Sequence, residues 1–196
     1  MTIFPRFSSK ATFATAILVT CLITGVAAQD AQKGASSKSG IQEPFGEEVT
    51  LPARTLLMRK AKTSWDEAWA NIVSTFKAVR VDADKLQLKV TGAPMIIYRS
   101  TSDDSFEFDA ALPIEAAPKE ALVGELSVGP ARTGKAIKFI YKGPFDAMDS
   151  TYELISNYID SKKIEAEDLS IEEYVTDPLT TKPEEIVINI FMPLKK

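Results

Sequence analysis

The clearest chemistry in this sequence is carried by Glu172 and Tyr174, in the run Ser170 to Leu194, SIEEYVTDPLTTKPEEIVINIFMPL. In a strand, alternate side chains share a face, so this acid and this phenol look the same way while Glu173 and Val175 look the other. If that face lines a cavity, the cavity holds a carboxylate and an aromatic hydroxyl. A carboxylate among rings loses hydration and its pKa rises; a bound cation brings it back down. Aromatic faces attract cations by about 0.5–2 kcal/mol each. Tyr98, Tyr152 and Tyr174, with Trp65 and Phe145, are therefore the candidate wall around Glu172. Trp69 is assigned to the core, because aromatic stripes on helices usually pack inward. Glu173 serves as an internal control.

Other chemistries are excluded by composition. The chain has no histidine, which removes Ser-His-Asp and Cys-His catalysis, the usual zinc sites and histidine-ligated haem. Its single cysteine, Cys21, lies in an apolar N-terminal run. Gly143-Pro144 lacks the glycine-rich pattern of a phosphate loop and reads as a turn opening a helix. No metal and no cofactor is expected.

Residues 1–28 read as a secretory signal: Arg6 and Lys10, then the apolar stretch Ala11 to Val26, then small residues to Ala28. The apolar run is short for a membrane span. Export to the periplasm or the outside is the expectation, with cleavage near Ala28 and no membrane attachment afterwards. Cleavage would remove two basic residues and no acid, taking the net charge from −4 to −6 and leaving no cysteine. That charge has the wrong sign for nucleic acid. Residues 29–46 are small, polar and glycine-containing, the composition of a flexible linker. Residues 47–196 make one domain of ordinary size.

Inside the domain the chain repeats itself. Pro52-Ala53-Arg54-Thr55 recurs as Pro130-Ala131-Arg132-Thr133, Trp65-Asp66 as Phe145-Asp146, and Ala111-Leu112-Pro113-Ile114 as Phe191-Met192-Pro193-Leu194, with a tyrosine strand in each half. Ser64 and Glu67 form a capping-box pattern, and Trp65, Ala68, Trp69, Ile72 and Phe76 share a helical face. Met148, Tyr152, Ile155 and Ile159 make the second stripe. Asp66 and Asp146 are assigned to the two helix starts. Strands are expected over 49–61, 95–99, 105–112, 123–128, 133–141, 171–176 and 185–192. The fold class is α+β: two strand-helix-strand-strand repeats forming an antiparallel sheet, two helices on one face, and a groove on the pseudo-twofold axis.

Gly124-Glu125-Leu126, Gly143-Pro144-Phe145-Asp146, Glu172-x-Tyr174-x-Thr176-Asp177-Pro178, Pro183-Glu184-Glu185 and Met192-Pro193-Leu194 together resemble the GyrI-like small-molecule-binding domain. This is the effector-binding domain of AraC-type and multidrug-sensing regulators. The resemblance implies a pocket glutamate at Glu172, with Tyr174 beside it, meeting cationic or polar ligands. Nothing in these residues resembles the DNA-binding segment that such regulators carry. The leading expectation is an exported small-molecule-binding protein with an aromatic-lined groove and an amphipathic or cationic ligand. The alternatives are a carboxylate-dependent hydrolase, with Glu172 as its general acid or base, and a scaffold that binds a partner protein.

Overall fold

The computed structural model describes residues 46–196. The expected signal peptide, and the linker up to residue 45, lie outside the described residues. The elements follow in chain order: β1 (Glu47–Leu51), β2 (Thr55–Ser64), α1 (Ala68–Lys85), β3 (Met95–Thr101), β4 (Ser105–Ile114), β5 (Leu126–Pro130), β6 (Gly134–Lys142), α2 (Met148–Ser161), β7 (Ile171–Tyr174) and β8 (Val187–Pro193).

The strands form one sheet in the order β1-β6-β8-β7-β3-β4-β2-β5, and every adjacent pair is antiparallel. The order is a palindrome: β2, α1, β3 and β4 fill one half, and β6, α2, β7 and β8 the other. The seam is β3 against β7, where Ile96 stands opposite Glu172. The leading strands change sides, β1 pairing with β6 and β5 with β2.

The run expected as a single strand, 49–61, is therefore two strands. Pro52 has no N–H for a ladder, and the chain leaves the sheet there. Pro130 ends β5 at the equivalent point. The two repeated Pro-Ala-Arg-Thr words are the crossovers between halves, and they touch: Ala131 N donates to Arg54 O at 2.8 Å.

Both helices pack on the same side. Ile72, Phe76 and Val79 of α1 and Tyr152, Ile155 and Ile159 of α2 form one buried cluster with Phe106, Phe108, Phe139, Ile188 and Ile190 of the strands. Burying each such side chain contributes about 1.5–3 kcal/mol. The alternation in β4 explains the sidedness: Phe108, Ala110 and Leu112 join this layer, while Ala111 joins a smaller cluster on the opposite face with Leu56, Met95, Ile97, Ile171 and Phe191.

The helix starts differ from expectation. Ser64 ends β2, and α1 begins four residues later with Glu67 at its N-cap and no side-chain cap bond. Trp65 and Asp66 thus precede the helix. The β2–β4 ladder runs through Ser64↔Ser105, holding Ser64 in the sheet and away from a capping position. In the second half Phe145 and Asp146 lie in a separate 3-10 turn, Phe145–Ala147, ahead of α2. Gly143 enters that turn at φ +145°, a backbone region that glycine adopts without strain.

Candidate functional site

Glu172 is wholly buried on the helix-covered side of β7. Three phenols donate to it. Tyr98 of β3 reaches Oε1 at 3.0 Å, Tyr152 of α2 reaches Oε1 at 2.7 Å, and Tyr174 of β7 reaches Oε2 at 2.9 Å. Each donor arrives for a structural reason. Tyr174 sits two residues along the same strand, hence on the same face. Tyr98 comes across the seam from the partner strand. Tyr152 projects from the apolar stripe of α2 down onto the sheet.

Burial pushes the Glu172 carboxyl above its usual range, and the three phenol hydrogen bonds pull against that. Among the described residues no cation contributes to its shift. Burial first, then the neighbouring acid, pushes all three phenols well above their ordinary value, so they stay protonated as donors. An ionised carboxylate offers about four acceptor positions, and three are taken here. Among the described residues no fourth donor reaches it, which leaves one lone-pair direction for a further donor or positive charge.

Rings stack outward from the phenols. Tyr174 meets Phe76 edge-on at 5.1 Å and Trp69 at 6.3 Å, and Trp69 stacks on Phe145 at 5.2 Å. Tyr98 packs on Phe106 at 5.3 Å, and Phe106 stacks on Trp65 at 4.3 Å. Trp65 also donates its indole N–H to Ser102 O at 2.9 Å. The six sequence-derived residues therefore fall in one ring-lined layer. Tyr98, Tyr152 and Tyr174 touch the acid, while Trp65 and Phe145 back the phenols through Phe106 and Trp69. Trp69, assigned to the core from its helical spacing, is the half-buried link between Phe145 and Tyr174. Its spacing could not separate it from a core residue, since both roles use the same stripe.

Glu173 behaves as its strand position requires. It faces the helix-free side, accepts from Arg54 Nη1 at 2.8 Å and from Asn189 Nδ2 at 3.1 Å, and lines a cleft of about 240 Å³. The groove that the sequence places on the pseudo-twofold axis thus carries Glu173, whereas the aromatic wall and Glu172 lie beneath the helices. At the edge of the site Arg80 of α1 holds Asp177 with two bonds of 3.0 Å, fastening the helix to the β7–β8 connection. That arginine, with help from the Leu179 N–H, holds the Asp177 carboxyl below the usual range.

A family model, the GyrI-like small molecule binding domain, matches residues 47–195. The chain belongs to this GyrI-like family. Among solved structures, EcmrR in its DNA complex superposes with a TM-score of 0.68 at 13% identity, covering 80% of this chain and 59% of that one. This chain therefore spans under two thirds of that EcmrR chain. The EcmrR C-terminal domain alone gives 0.66 at 13% identity, covering 78% of this chain and 98% of the domain. SAV2435, in a structure bound to tetraphenylphosphonium, gives 0.54 at 18% identity, covering 77% and 94%. No curated protein matches the sequence. At these identities the structural likenesses show the fold. The GyrI-like domain here is α+β, with an eight-stranded antiparallel sheet and two helices among the described residues.

Proposed function

We propose that this GyrI-like domain binds a small lipophilic cation between its sheet and its helices, with Glu172 as the counter-charge, in a compartment outside the cytoplasm. The observation that carries the reading is a wholly buried carboxylate held by three phenols, with no cation beside it among the described residues. Such a group is costly to keep charged, and a cation entering the ring-lined layer would relieve that cost. The rings of Trp69, Phe145, Phe76 and Tyr174 supply apolar area and cation–π attraction. Because Glu172 is fully covered, entry requires side chains above it to move, with Tyr152 of α2 foremost. Export rests on the signal-like residues 1–28 and is read out by N-terminal sequencing of the secreted protein, which should begin near Gln29.

Tetraphenylphosphonium, the ligand in the SAV2435 structure, is a suitable probe. Opposite charges 4 Å apart at an effective dielectric of about 20 attract by roughly 4 kcal/mol. Calorimetry should therefore show Glu172→Gln binding at least tenfold more weakly, while Glu173→Gln binds like the wild type. Equal affinity in the wild type and Glu172→Gln would sink the reading. Stability gives a second handle with the opposite sign. The Glu172 pKa is raised in the folded state, so its charged form costs stability above the folded pKa, and that cost disappears as the pH falls below the unfolded value. Glu172→Gln should melt higher than wild type at pH 8, and the gain should shrink in acid. A residue whose removal stabilises the fold but weakens binding is kept for the ligand.

A further inference from the structure

The helix-free face holds a cavity that the Glu172 site leaves unused. It measures about 240 Å³ and draws its lining from β1, β2, β3, β6, β7, β8 and both Pro-Ala-Arg-Thr crossovers. Its floor is apolar: Leu56, Met95, Ile97, Ile171 and Phe191, all buried or nearly so. Strands so far apart in the sheet order can share one cleft only if the sheet curls around this face.

The charges around the floor are unequally matched. Arg54 is satisfied by Glu173, and Arg132 by a two-pronged contact with Glu167. Both oxygens of Glu173 are in use, one on Arg54 and one on Asn189, so the acid in the cleft has little left for a cationic guest. Lys138 differs. Its side chain is three-quarters covered, yet Glu47 is the one carboxylate within 4 Å of its ammonium among the described residues. That carboxylate lies 3.6 Å away, beyond hydrogen-bond distance, and is itself 64% exposed. The cleft therefore joins an apolar floor to one poorly neutralised cation.

We propose that this cleft is a second ligand site that takes a small amphipathic monocarboxylate. The carboxylate would sit on Lys138, and the apolar body would lie over Ile97, Ile171, Met95 and Phe191. Its volume is below the range of drug-sized pockets, which limits the body to a single ring or a short chain. A charge-assisted bond from this largely covered lysine side chain supplies the selectivity. The site stands independently of Glu172, which faces the other way on the same strand.

The methionines allow a direct test. Met58 and Met95 belong to the helix-free cluster, and Met148 and Met192 to the helix-covered one. With ε-methyl carbon labelling and octanoate as the probe, the Met95 methyl resonance should move and Met148 should stay. Octylammonium and octanol should bind at least tenfold more weakly than octanoate. Lys138→Gln should lose at least tenfold in octanoate affinity, Lys138→Arg should recover most of it, and Glu172→Gln should leave it unchanged. Unaltered Met148 and Met192 resonances in the Lys138 variants show that the fold is intact. The proposal is overturned if octanoate does not bind, if octanol or octylammonium binds as well, if Lys138→Gln has no effect, or if Glu172→Gln abolishes binding.

Discussion

The two halves of the sheet use the same frame for different purposes. Tyr98 and Tyr174 occupy matching places, two residues beyond the seam pair Ile96 and Glu172. Seven residues after Trp65 stands Ile72, and seven after Phe145 stands Tyr152; both are buried under the helices. The first half thus gives one phenol and an apolar wall, while the second gives the acid and two phenols. The difference teaches why the site is asymmetric on a symmetric scaffold. A faithful repeat would put a second carboxylate at position 96, directly across the seam from Glu172. Two buried acids that close cannot both ionise.

Restoring that symmetry should produce the largest effect. Ile96→Glu buries a second, uncompensated carboxylate, and denaturant unfolding at pH 8 should show a loss of about 3–5 kcal/mol. A loss under about 1 kcal/mol would mean that the seam is wetter than the burial of Ile96 implies. Next come the paired phenols. Tyr98→Phe and Tyr174→Phe each remove one donor to the carboxylate, worth about 1.5–3 kcal/mol for a charged acceptor. Each should also raise the Glu172 pKa further, as read by carbon NMR of the labelled carboxyl. Similar shifts would confirm that the two halves hold the acid jointly, and a silent Tyr98→Phe would assign it to the second half alone.

The smallest expected effect lies at a place where the halves diverge entirely. Four residues after Trp65 is Trp69, and four after Phe145 is Asp149. Asp149 Oδ1 is buried with no hydrogen-bond partner among the described residues. Burial first, then Glu153 and Asp146, raises its carboxyl to about 6. A raised acid penalises the folded state above its folded pKa, and the penalty is gone below the unfolded value near 4. Asp149→Asn should therefore raise the melting temperature above pH 6, with the gain fading as the pH falls towards 4. Because the group is partly exposed, solvent screening reduces the effect to about 1 kcal/mol, or about 2–4 °C.

Much of the frame was legible because it is local. The repeated words marked the two halves, and alternation in Phe106 to Leu112 marked a strand, although the sheet buries both of its faces from Phe108 onward. Both helices were found from their stripes, but their starts were not. Ser64 has the sequence of a cap, yet strand pairing with Ser105 keeps it in the sheet. The continuous strand over 49–61 was broken by Pro52, whose effect depends on β1 having a partner 83 residues away, in the pairing of Leu51 with Gly134. The exchange of edge strands leaves no trace in local spacing.

The sequence by itself determined that Glu172 and Tyr174 share a face and that Glu173 takes the other, because a strand has a period of two. It also determined which catalytic groups are missing, since histidine is absent from the chain. Only the tertiary structure decided which of the two acids is buried beneath the helices and which meets an arginine in an open cleft. Only it brought Tyr98 across 74 residues and Tyr152 across 20 to the same carboxylate. Those choices depend on strand pairing and helix packing, which join groups by burial and hydrogen-bond satisfaction and not by distance along the chain.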